Sequence, residues 1–153
     1  MAQWMPDDED YAERVRASFE RQGIMSTLGA VLARVEPGEV EIRLDYQPGL
    51  SQQHGFFHAG VTSTIADSAG GYAAYSLFPA GASVLTVEFK INLLAPADGD
   101  QLRAAGRVYK PGRTLTLCDV EVFVSKAGKE KVCAKMQQTL MRLDARGDII
   151  RAG

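Results

Sequence analysis

A basic excess is missing from this chain of 153 residues, in which 17 Lys and Arg face 19 Asp and Glu for a formal net charge of −2. Proteins devoted to nucleic acid carry a basic surplus, so no nucleic-acid partner is expected, although a local basic patch could still hold one anionic ligand. Cysteine is scarce: Cys118 and Cys133 stand in separate apolar-alternating segments, without a CxxC pair. They are expected to be free core thiols in a reducing compartment. Histidine is limited to His54 and His58, and no His/Cys/carboxylate cluster has ligand spacing. Neither a metal nor another cofactor is therefore expected. No G-x-S-x-G occurs, which removes the Ser-His-Asp hydrolases built on that turn. No apolar stretch approaches the roughly 18 residues of a membrane helix. The acidic start Met1-Ala2-Gln3-Trp4-Met5-Pro6-Asp7-Asp8-Glu9-Asp10 has no apolar core, so no secretory leader and a cytoplasmic location are expected. Repeats and low-complexity tracts are absent.

What is present is a globular balance of 46% hydrophobic and 24% charged residues, at a length that suits one domain. Asp7 or Asp8 can cap a helix of about 15 residues in which Tyr11, Val15 and Phe19 share a face and Gly23 is the stop. Thr27 to Val35 and Val40 to Tyr46 read as strands around a type II turn at Pro37-Gly38. Ser51 to Gly60 reads as a loop. Val61 to Phe78 lacks strand alternation and reads as a helix ended by Pro79, with Val61, Ile65, Ser68, Tyr72 and Tyr75 along one side. Its Ala66, Ala69, Gly70, Gly71, Ala73 and Ala74 suit a central helix that a sheet approaches closely, since each internal glycine costs about 1 kcal/mol against alanine. Leu85, Val87, Phe89, Ile91 and Leu93 then give the cleanest period-two run. Strands follow at Gln101 to Tyr109, Thr114 to Val124 and Lys129 to Leu143, and tight turns between them predict a four-strand antiparallel meander. The fold class is α+β: a curved antiparallel sheet of about six strands around one central helix, with an extra N-terminal helix.

Both histidines fall in Gln52-Gln53-His54-Gly55-Phe56-Phe57-His58-Ala59-Gly60, and nine residues past His58 stands Asp67. A carboxylate among Ile, Ala and Gly is costly unless it is paired or at work. The pattern Gly55-x-x-His58-Ala59-Gly60 followed by Ile65-Ala66-Asp67-Ser68-Ala69 resembles the G-x-x-H-G-G … L-x-D-x-A signature of hotdog-fold acyl-CoA thioesterases. These form the PaaI-like branch of the 4-hydroxybenzoyl-CoA thioesterase superfamily. The strand running from Thr86-Val87-Glu88-Phe89 to Leu94-Ala95-Pro96-Ala97 and the turn Lys110-Pro111-Gly112-Arg113-Thr114-Leu115 extend the likeness over about residues 25–143. Residues 1–24 form a helix outside it, and 144–153 a polar tail.

The resemblance implies a hotdog fold and hydrolysis of an acyl-CoA thioester to free acid and CoA. It makes Asp67 the catalytic carboxylate, as general base on water or as nucleophile. The Ala59 N–H becomes the donor that polarises the thioester carbonyl, with alanine where the family usually has glycine. Gln52 stands where an Asn orients the carbonyl or the water, and Thr86 where a Ser or Thr helps hold the water. His58 braces the loop in this scheme, while His54 has no matching role. Gly60, Phe57, Ser68, Lys110 and Arg113 are implied substrate contacts, the last two for the phosphates of coenzyme A. Family members join sheets into dimers or tetramers with shared sites, so a homo-oligomer is expected. A hotdog hydratase or dehydratase using His58 with Asp67, and a non-catalytic acyl-CoA-binding module, are the alternatives.

Overall fold

The structure is a computed structural model that describes residues 4–144. The expected C-terminal tail lies, beyond Asp144, outside the described residues. Ten residues, Tyr11–Glu20, form helix α1, which buries Val15 and Phe19 as their four-residue spacing predicts. The helix is shorter than the sequence suggests. Asp10 is its cap residue without a side-chain bond, while Asp8 accepts from the Asp10 N–H at 3.1 Å and from Arg14 at 2.7 Å. Gly23 does not end the helical segment; it opens a second short helix, α2 (Gly23–Leu28), which Gly29 ends at φ 76°. The first strand accordingly begins at Val31 rather than Thr27.

Strands β1 (Val31–Glu36) and β2 (Glu39–Asp45) follow, and Gly38 between them has the positive φ of 76° that a type II turn demands. A 3-10 turn at Pro48–Leu50 leads through a loop into helix α3 (Ala59–Tyr75). Polar residues in its first turns are tolerated because their hydroxyls bond back four residues, Ser63 to Ala59 O at 2.8 Å and Thr64 to Gly60 O at 2.7 Å. Strands β3 (Ser83–Leu93), β4 (Gln101–Lys110), β5 (Leu115–Lys126) and β6 (Lys129–Leu143) complete the chain.

The six strands make one antiparallel sheet in the order β1-β2-β4-β5-β6-β3. Only β4, β5 and β6 form the expected meander. Strand β3 pairs with β6 rather than β4, so the four-strand meander read from the turns is corrected here. Alternation states that a strand has two faces, not which neighbour it takes. The sheet curls round α3, and the small residues of that helix allow the approach. A Cβ on Gly106 of β4 would lie 2.5 Å from the backbone of Ala69. Helix α1 is fastened over the end of α3 by Arg14, whose guanidinium donates to Phe78 O at 2.7 Å and lies 4.4 Å from the centre of the Tyr75 ring.

As the last strand of the sheet, β3 is exposed along most of its length. Leu85, Val87, Phe89 and Leu93 keep between 45% and 56% of their surface open. The cleanest apolar alternation in the sequence thus serves a surface that this chain does not cover by itself.

Candidate active site

The expected residues gather in two groups on α3. The first surrounds its N-terminus. His58 caps the helix in extended conformation, with Nδ1 accepting the Gly60 N–H at 2.8 Å, so the ring braces the turn. Val61 and Thr62 direct their N–H groups to His58 O at 3.0 and 3.2 Å. Among the described residues, the Ala59 N–H is then the one donor of this turn that takes no partner. It lies at the positive end of a 17-residue helix, where an oxyanion is stabilised. Beside it is a cavity of about 480 Å³ lined by Gln52, Phe56, Phe57, Ala59, Thr62, Leu93, Leu94, Pro96 and Cys133, among others. The Gln52 carbonyl oxygen of the side chain accepts the His54 N–H, which fixes the loop. Phe57 is buried against Tyr46, with ring centres 5.3 Å apart.

The second group lies two turns further on. Asp67 accepts a hydrogen bond from Thr86 Oγ1 on Oδ1 at 2.7 Å. The same oxygen accepts from Gln138 Nε2, which also reaches Asp67 O at 3.0 Å and Thr86 Oγ1 at 3.3 Å. Asp67 Oδ2 takes no bond among the described residues, so one carboxylate oxygen is held and the other is open for chemistry. Gln138 was not foreseen. Its role emerges only once β6 is seen to bury Ala134, Met136 and Leu140 on the same alternating face, where a glutamine needs a partner.

Eight residues separate Ala59 from Asp67, or about 12 Å at the helical rise. A single thioester carbon cannot touch both. Ser68 donates to Gln22 Oε1 at 2.9 Å, which gives its hydroxyl to the N-terminal segment. Lys110 and Arg113 are exposed on the β4–β5 turn. That turn is at the Thr86 end of the sheet, since Leu115 pairs with Met141 and Met141 with Leu85. Neither cysteine is bridged, and burial pushes the thiols up, Cys118 to about 12 and Cys133 to about 11. Both are therefore neutral thiols, although Cys133 does form part of the cavity wall. No group of three or more His, Cys, Asp or Glu side chains is placed to hold a metal ion among the described residues. No helix among them is long and apolar enough to cross a membrane.

The family model of the thioesterase superfamily matches residues 54–131, just over half of the chain and the span that holds both groups. A protein named as an esterase in Halobacterium salinarum is 31% identical over 121 residues, covering 76% of this chain and 80% of that one. The crystal structure of a thioesterase family protein from Silicibacter pomeroyi superposes with a TM-score of 0.87 at 50% identity, over 88% of this chain and 98% of that one. The PaaI protein of E. coli, from the phenylacetic acid degradation operon, superposes at 0.78 with 22% identity, over 88% and 94% of the two chains, and so shares the fold. The chain belongs to the thioesterase superfamily and is a thioester hydrolase of hotdog fold.

Proposed function

We propose that the protein hydrolyses acyl-CoA thioesters at a site completed by a second copy of the chain. The observation that carries this reading is the division of the site: a carbonyl-polarising N–H and a half-bonded carboxylate, each suited to thioester hydrolysis, stand about 12 Å apart on one helix. The exposed edge of β3 supplies the means to join them. An antiparallel pairing of two β3 strands centred on Phe89-Lys90 brings one copy's Thr86, with the Asp67 bonded to it, beside Leu93 in the cavity wall of the other. The pairing also covers an apolar edge with open N–H and C=O groups.

In this scheme the Ala59 N–H holds the thioester oxygen as it gains charge. Asp67 Oδ2 takes a proton from water, whose oxygen bonds to the acyl carbon, or attacks that carbon directly. On the general-base route the tetrahedral intermediate expels the CoA thiolate, which leaves as the thiol with that proton. On the nucleophilic route the thiolate leaves an acyl-aspartyl anhydride, which water hydrolyses to the free acid. That step regenerates the carboxylate, and the other proton of the water goes to the thiolate. Gln52 and Thr86 orient the carbonyl and the water, and Phe56 and Phe57 face the acyl group. Lys110 and Arg113 meet the phosphates. The hydratase alternative finds less support, because His58 Nδ1 is engaged by the Gly60 N–H. A panel of acyl-CoA esters, read by thiol release, tests the reading together with Asp67→Asn. General base catalysis contributes typically 100- to 10,000-fold. The variant should keep its fold and lose at least about 100-fold in kcat, with KM much less changed. Near wild-type turnover by Asp67→Asn would remove the carboxylate from the mechanism.

A further inference from the structure

We infer that Gln138 is a positioning residue for Asp67: its carboxamide locks Oδ1 and the helix carbonyl behind it, so that Oδ2 alone meets the reacting atoms. The inference rests on the thioesterase reading above and extends it to a residue on a different strand. Gln138 is 1% exposed, so its hydrogen bonds must be made within the protein. Three acceptors converge on Nε2: Asp67 O, Asp67 Oδ1 and Thr86 Oγ1. Turning the amide over would point its oxygen at all three, so the donor's orientation is fixed by its surroundings. The opposite end is unusual. Oε1 has no hydrogen-bond partner, and it lies 2.0 Å from where a Cβ on Gly70 would be. Helix α3 therefore leaves out a side chain, and the glutamine leaves an acceptor unpaired, to seat this amide beside the carboxylate. A glutamine kept for packing alone would be replaced at less cost by an apolar side chain of the same length.

Held this way, Asp67 cannot rotate about χ2 to exchange its oxygens without breaking bonds from both Thr86 and Gln138. A misplacement of about 1 Å in a reacting group can cost about 100-fold. Gln138→Met, which keeps length and volume but has no donor, should lower kcat by about 10- to 100-fold while KM stays within about threefold. The decisive measurement is the double variant. Because Gln138 acts through Asp67, adding Gln138→Met to Asp67→Asn should change the residual rate less than about twofold. A role in packing alone would instead lower both backgrounds alike, and that result overturns the inference. Full activity in Gln138→Met with a crippled Asp67→Asn overturns the inference and leaves the thioesterase reading standing. Full activity in both takes down the two together, as does a wild-type chain inert toward every acyl-CoA. If Gln138→Met does not fold, the side-chain amide protons of Gln138 decide by hydrogen exchange. They should be protected in the wild-type chain and released in Asp67→Ala, and equal exchange in the two overturns the inference.

Discussion

A proline at position 59 would remove one hydrogen from the proposed site and little else. Ala59 is the first residue of α3, where the ring of proline suits the backbone and the missing N–H costs no helical bond. His58 before it already has the extended conformation that proline imposes, at φ −66° and ψ 141°. Ala59→Pro should therefore fold with a melting temperature close to wild type and lose about 100- to 1,000-fold in kcat, the usual effect of deleting an oxyanion donor. A variant that turns over normally would move carbonyl polarisation elsewhere. Asp67 stands out in the sequence by itself, as an acid inside an apolar helix, whereas Ala59 is singled out only by the family resemblance. Gln138 was not, because within β6 it reads as one more polar residue of a strand until the inward face is known.

At the scale of elements, the N-terminal helix depends on a charge pair. Arg14 lies between Asp8 and the carbonyls that end α3, bonding Asp8 Oδ2 at 2.7 Å. The Arg14 hydrogen bond, helped by the Asp10 N–H, holds the Asp8 carboxyl below its ordinary value of 3.8. A depressed carboxylate stabilises the fold above its unfolded pKa, and that contribution disappears as pH falls through the folded value. Asp8→Asn should therefore be less stable than wild type in urea at pH 7, and the gap should close progressively below about pH 4. An unchanged gap on the acid side would show that the pair does not titrate as described. The number of strands, their hairpin turns and the presence of α3 could be read from period and punctuation. The ends shift, however: α3 spans Ala59–Tyr75 rather than 61–78, and β1 starts at Val31 rather than Thr27. Helix α2 could not: six residues hold too few turns for a periodic signal, and Thr27 favours strand. The neighbour of β3 was equally hidden, since it depends on which strand closes the sheet.

For the whole molecule, the division of the site makes a quantitative statement. If each site takes Ala59 from one copy and Asp67 from the other, neither Ala59→Pro nor Asp67→Asn works alone. Mixed and refolded together in equal amounts, they place both lesions in one site of each heterodimer and none in the other. About a quarter of wild-type activity should return at random two-fold pairing. No recovery in a mixture shown by mass to contain heterodimers would mean that each chain carries its own site. The place of β3 in the sheet also bears on how the protein is made. Residues 83–93 find their hydrogen-bonding partner only in 134–143, the last of the six described strands to be synthesised. Until then α3, β4 and β5 can assemble while this strand, with its alternating Leu85, Val87, Phe89, Ile91 and Leu93, waits with both edges open. The nascent chain thus presents an aggregation-prone segment for the interval in which about 40 further residues are added, roughly 2–8 s at ordinary synthesis rates. A chaperone that binds extended apolar segments would meet this chain there, between the emergence of β3 and that of β6.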